Sequence, residues 1–119
     1  MAKSEFIENV IKFILSRSDD ELGELTIEKV TYTLKTSRSH IYHAFHDEMN
    51  MTPAQYLSKI KILRSAVLLE TDSLITIKKI SQKLGFSNSE YFIKLFKQHF
   101  GTTPGKYREF IHLLPGKDL

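Results

Sequence analysis

The chain has 119 residues, 41% of them hydrophobic and 26% charged. That composition suits one domain or two small lobes and excludes a disordered chain. No apolar run reaches the roughly 18 residues of a membrane span, and the absence of cysteine excludes disulfides and thiolate metal sites. The net charge of +3 conceals a split, with six Lys/Arg against nine Asp/Glu in residues 1–50 and eleven against five in residues 51–119. A basic second half points to an anionic partner, above all nucleic acid, although solvated lysines on helix surfaces give the same count.

In chain order, FIENVIKFIL (6–15) spaces Phe6, Ile7, Val10, Ile11, Ile14 and Leu15 as a helical stripe. SRSDDELGEL is polar and turn-like, and a loop is expected there. TIEKVTYTL (26–34) puts Ile27, Val30 and Leu34 on one face behind the candidate N-cap Thr26. SRSHIYHAFHDEM (37–49) follows after only Lys35 and Thr36. A longer helix is predicted from about Pro53, at its first turn, to Glu70. TIKKISQKL (76–84), Gly85-Phe86 and SNSEYFIKLFKQHF come next, then a short helix over 104–111 and a frayed tail, HLLPGKDL. No segment alternates with period two, so the fold class is all-α.

The chain also repeats itself. LTIEKVTYTLKTSRS from Leu25 overlays ITIKKISQKLGFSNS from Ile75 at an offset of 50, matching Thr26/Thr76, Ile27/Ile77, Leu34/Leu84, Ser37/Ser87 and Ser39/Ser89. Farther on the offset is 51, matching Phe45/Phe96, Thr52-Pro53/Thr103-Pro104 and Tyr56/Tyr107, so one residue has entered the second copy near the start of its second helix. Each copy is two helices joined by a tight turn, the arrangement of a helix-turn-helix, whose second helix can enter a major groove. Ile41, Phe45 and Met49 are expected to close the first core, and Phe92, Phe96 and Phe100 the second. Thr31 and Ser81 are small enough to let the helices cross closely. Gly85 suits a turn with positive φ; Lys35 stands there in the first copy, so that turn should differ or be strained. Lys94 and Lys97 lie opposite the phenylalanines, and the free N–H groups at the helix start suit a phosphate.

The run ITIKKISQKLGFSNSEYFIKLFKQHFGTTPGKYR (75–108) resembles the most characteristic stretch of the AraC/XylS family of bacterial transcription regulators. PAQYLSKI and KILRSAVLLET are similar to that family's linker. The resemblance covers about Phe6 to Phe110. It implies about seven helices in two tandem, homeodomain-like helix-turn-helix lobes, with boundaries expected at 1–52, 53–70 for a linker helix, and 71–119. It also implies that the reading helices enter successive major grooves. In the first, Arg38, Ser39, Tyr42, His43 and His46 become the DNA-binding candidates. His43 stands where the family often has Arg, and Tyr42 suits a thymine methyl, a phosphate or mere cover. In the second they are Asn88, Ser89, Glu90, Lys94 and Lys97. Asn88 and Glu90 have the chemistry for adenine and cytosine edges, and Glu90 equally that of a helix-dipole partner. Asn50 replaces a Gly after the first reading helix and tolerates the left-handed conformation.

Double-stranded DNA is the expected partner, RNA polymerase a further one, and bacterial cytoplasm the expected location, with no membrane, cofactor or metal. His40, His43 and His46 recur every three residues, but His46 drifts round the face and no carboxylate triad accompanies them. No phosphate loop or nucleophile motif suggests an enzyme. The alternative is a non-enzymatic helical module for protein interaction or RNA, against which stands the placing of most aromatics on core positions. The length leaves no room for the sensing, receiver or dimerisation domain often joined to this one. Either a stand-alone regulator or the C-terminal part of a longer protein is expected.

Overall fold

A computed structural model of the protein describes residues 3–114, and every regular element among them is helical. The helices are α1 (Glu5–Leu15), α2 (Asp19–Glu24), α3 (Ile27–Leu34), α4 (Arg38–Met49), α5 (Pro53–Thr71), α6 (Ile77–Lys83), α7 (Ser89–Phe100) and α8 (Pro104–Leu113). The expected loop over SRSDDELGEL is corrected, since it contains α2. Ser18 accepts from Glu21 N–H while Glu21 Oε1 accepts from Ser18 N–H at 2.9 Å, a capping box that starts a helix without a long apolar stripe. Those bonds to Ser18 also hold the Glu21 carboxyl below its usual pKa, the backbone bond first. The expected frayed tail is partly helical, because α8 continues to Leu113; residues 115–119 lie outside the described residues.

The chain divides into two compact units, Met1–Ile60 and Lys61–Leu119, with the break inside α5. In the first, Ile7, Val10 and Ile14 of α1 are buried, as are Val30 of α3 and Ile41 and Phe45 of α4. Ile27, Leu34 and Met49 are half-buried, and Leu15 departs from the α1 stripe into solvent. Leu22 supplies the buried foot of α2. Tyr56 of α5 packs its ring on Phe45, centroids 5.4 Å apart. Capping at the start of α5 is reciprocal, with Thr52 N–H donating to Gln55 and Gln55 N–H to the Thr52 hydroxyl.

In the second unit Ile62, Leu69, Ile80, Leu84 and Ile111 share the core with a cluster of aromatic rings. Phe92 and Phe96 are fully buried, and Phe86, Phe100 and Tyr107 close round them at centroid distances of 4.6–6.0 Å. At about 25 cal/mol per Å² of apolar surface, burial of these rings and of their aliphatic neighbours stabilises the unit. Two polar contacts tie α8 to the rest of the unit. The Tyr107 hydroxyl donates to Glu70 at 2.9 Å, and the Arg108 guanidinium donates to the Ile75 carbonyl.

Candidate nucleic-acid interface

Each unit contains the same turn, built from the same backbone bonds. Thr26 caps α3 and Thr76 caps α6, each hydroxyl accepting from the N–H three residues on. At the other end, Thr36 N–H donates to Thr31 carbonyl and Lys35 N–H to Tyr32 carbonyl; Phe86 to Ser81 and Gly85 to Gln82 repeat the pair fifty residues later. This bond pair is a Schellman ending, which needs a left-handed residue. Gly85 supplies it at φ 77°, and Lys35 takes it at φ 54°, ψ 48°. The first turn therefore matches the second, and strain falls on Lys35. Thr31 and Ser81, the small residues expected where the helices cross, are both buried.

The caps locate the extra residue. Ser37 caps α4 and Asn88 caps α7, which moves the offset to 51 before the second helix begins. The inserted residue is thus in the turn at Ser87, and the sequence identities Ser37/Ser87 and Ser39/Ser89 are not structural equivalences. In the corrected register Arg38 matches Ser89, Ser39 matches Glu90, Tyr42 matches Ile93, His43 matches Lys94 and His46 matches Lys97. The register then holds through the helix ends, where Asn50 and Gly101 are both left-handed.

On α4 all five candidates are exposed. Arg38 Nη1 lies 3.4 Å from Glu28 Oε1 on α3, an exposed pair that water and salt weaken. Tyr42, 46% exposed, has His46 stacked beside it at 6.4 Å and His43 edge-on at 5.9 Å, so the three rings form one exposed aromatic surface. His46 Nδ1 also lies 3.2 Å from Asp47 Oδ1. His40 belongs elsewhere, stacked on Phe6 of α1. Among the described residues no group of three His, Asp or Glu is placed to hold a metal ion.

On α7, Asn88, Glu90, Lys94 and Lys97 are exposed, whereas Ser89 is half-buried. Asn88 Oδ1 accepts from Tyr91 N–H at 2.7 Å, which commits that oxygen to the helix start and leaves the amide nitrogen for another partner. Glu90 sits in the first turn, where the helix dipole favours its charge. Tyr91, 46% exposed beside Phe86, is not among the expected residues, since only its place next to a capped helix start marks it as surface. Lys78 of α6 was also passed over, and it lines a cleft at the turn with Gln82, Ser87 and Asn88.

Residues 31–109 match the model of a helix-turn-helix domain family. The Msm operon regulatory protein of Streptococcus mutans is 36% identical over 89 residues, covering 75% of this chain and 32% of that protein. The probable transcription factor PqrA of Proteus vulgaris is 31% identical over 105 residues, covering 86% of this chain and 85% of that one. This chain thus spans about a third of the first relative and most of the second. A transcriptional regulator from Chromobacterium violaceum with an AraC-type DNA-binding domain shares the fold at a TM-score of 0.78, with 22% identity over 92% of this chain and 93% of that one. The chain belongs to the AraC/XylS family of transcription regulators and carries that family's helix-turn-helix DNA-binding domain. Family and fold are those of DNA-binding regulators rather than enzymes. No helix among the described residues is long and apolar enough to cross a membrane.

Proposed function

We propose that the protein recognises a specific duplex sequence by setting α4 and α7 into successive major grooves, and that it activates transcription in the bacterial cytoplasm. The observation that carries this reading is the repeated capped turn, which presents two second helices with exposed side chains in matching register. On α4, Arg38 and Ser39 serve the phosphates and the helix start, and Tyr42, His43 and His46 meet base edges or thymine methyls. On α7, Asn88 offers its amide N–H to a base acceptor, and Glu90 accepts from a cytosine amino group. Ser89 supports the helix start, and Lys94 and Lys97 bind phosphate or guanine. Activation implies contact with RNA polymerase, and a sensing, receiver or dimerisation domain joined to this one would supply control.

Selection of bound duplexes from a randomised library at near-physiological salt tests the reading. Two short preferred blocks about one helical turn apart support it. A single block removes the role of one helix, and binding without any preference, lost as salt rises, removes sequence recognition altogether.

A further inference from the structure

Helix α1 is fastened to α4 near both of that helix's ends. In the first turn of α4 the His40 imidazole lies flat on the Phe6 ring, with centroids 4.0 Å apart and planes 9° from parallel. In the last turn Glu48 reaches the start of α1. Its Oε1 accepts from Ser4 N–H at 2.6 Å, and its Oε2 accepts from the Ser4 hydroxyl at 2.9 Å. Both are charge-assisted bonds, the backbone one short, and the two together fix the orientation of the carboxylate. Ser4 is also the N-cap of α1, its Oγ accepting from Ile7 N–H at 3.2 Å, so Glu48 sits at the positive end of the α1 dipole.

His40 and Glu48 are eight residues apart, about 12 Å along the helix axis. Ile41 and Phe45 hold the middle of α4 in the core, and anchors at that spacing constrain the tilt of its ends. Tyr42, His43 and His46 lie between them. Among the described residues the matching positions of the second unit are used differently. Tyr91 matches His40 and faces Phe86 within its own turn, and His99 matches Glu48 and packs on Phe100.

We propose that Ser4 and Glu48 are positioning residues for the first reading helix: their clamp, with the Phe6–His40 stack, sets the angle at which α4 meets the groove. Hydrogen bonding to base edges demands placement within about 0.5 Å, so loosening one end of α4 lowers discrimination without removing any DNA-contacting group. This inference rests on α4 being a reading helix, as proposed above.

The test uses the full chain and the duplex selected from the library, together with duplexes scrambled in one block or the other. His43→Ala and Lys94→Ala assign each block to its helix. Glu48→Ala, which removes both bonds, is expected to lower discrimination at the α4 block about fivefold, and Ser4→Ala, which changes no charge and keeps the backbone bond, by less. Discrimination at the α7 block stays unchanged, and Glu48→Gln, which keeps an acceptor, retains more than Glu48→Ala. Equal losses at both blocks overturn the proposal, because they report general destabilisation, as does full discrimination in all three variants. A uniform gain in affinity for Glu48→Gln with none for Ser4→Ala overturns it in favour of direct repulsion between Glu48 and DNA. If the unaltered protein selects no block assigned to α4, the reading of α4 fails first and takes this inference with it.

Discussion

At Lys35 the backbone turns through φ 54° and ψ 48°, a conformation in which any Cβ crowds the following carbonyl. Gly85 makes the same turn with no side chain to crowd. Both turns keep their two closing hydrogen bonds, so the first unit accepts the strain rather than lose the bonds that end α3. Lys35 is exposed and its side chain does nothing for the core. Lys35→Gly is therefore expected to stabilise the protein by about 0.5–1 kcal/mol, the left-handed penalty less the greater chain entropy of glycine. Gly85→Ala should destabilise it by about 1–2 kcal/mol. Urea unfolding midpoints at unchanged slope decide both, and a loss of stability in Lys35→Gly would show that the lysine side chain contributes more than its exposure indicates. Asn50 needs no such remedy, since its short polar side chain tolerates φ 55°.

At the scale of elements, helices with a wide apolar stripe and a hydroxyl at the start were legible in the sequence: α3, α4 and α6 begin one residue after Thr26, Ser37 and Thr76. Helix α2 was not, because six residues with Leu22 as the only buried one carry no periodicity. Its signal was the Ser18–Glu21 spacing of a capping box. The register at the very start of the second helices is ambiguous in the sequence for another reason. Serines recur at 37, 39, 87 and 89, and identity favoured pairing them, whereas hydrogen bonding pairs Ser37 with Asn88 as caps. The Ser4–Glu48 clamp was out of reach, since two exposed polar residues 44 positions apart leave no pattern. Tyr107 shows how one element is locked to another. Burial first, then the hydrogen bond and negative charge of Glu70, push its phenol up to about 12 from the ordinary 10.0. The unfolded chain releases that proton more readily, so the contribution is intact below pH 10 and is lost as pH climbs through about 12. Tyr107→Phe is expected to cost about 1–2 kcal/mol near neutrality, for the lost bond to a carboxylate. It should also remove one late step from the tyrosinate absorbance titration. A titration of unchanged shape would mean that Glu70 and Tyr107 are not coupled in solution.

For the whole molecule, the uneven charge becomes a statement about the two proposed reading helices once they are aligned by their caps. Where α7 has Lys94 and Lys97, α4 has His43 and His46, which the formal charge at pH 7 counts as neutral. A lysine that contacts phosphate releases a condensed counterion, and a neutral imidazole in its place does not. The second lobe should then supply most of the salt-dependent affinity, and the Tyr42–His43–His46 surface is expected to favour close contact with bases over long-range attraction. Lys94→Ala and Lys97→Ala are each expected to lower the slope of log K against log salt by about 0.9. Transplanting the second helix's residues onto the first, as His43→Lys with His46→Lys, should raise the slope by the same step for each new phosphate contact and weaken the preference at the α4 block. Binding titrations between about 50 and 200 mM salt at pH 8 resolve such steps. A slope that ignores Lys94 and Lys97 would place the phosphate contacts on other basic residues, with Lys78 at the α6–α7 turn the next to replace. A slope that falls while sequence preference at the α7 block stays intact would assign both lysines to the backbone, and would leave base reading by that helix to Asn88 and Glu90.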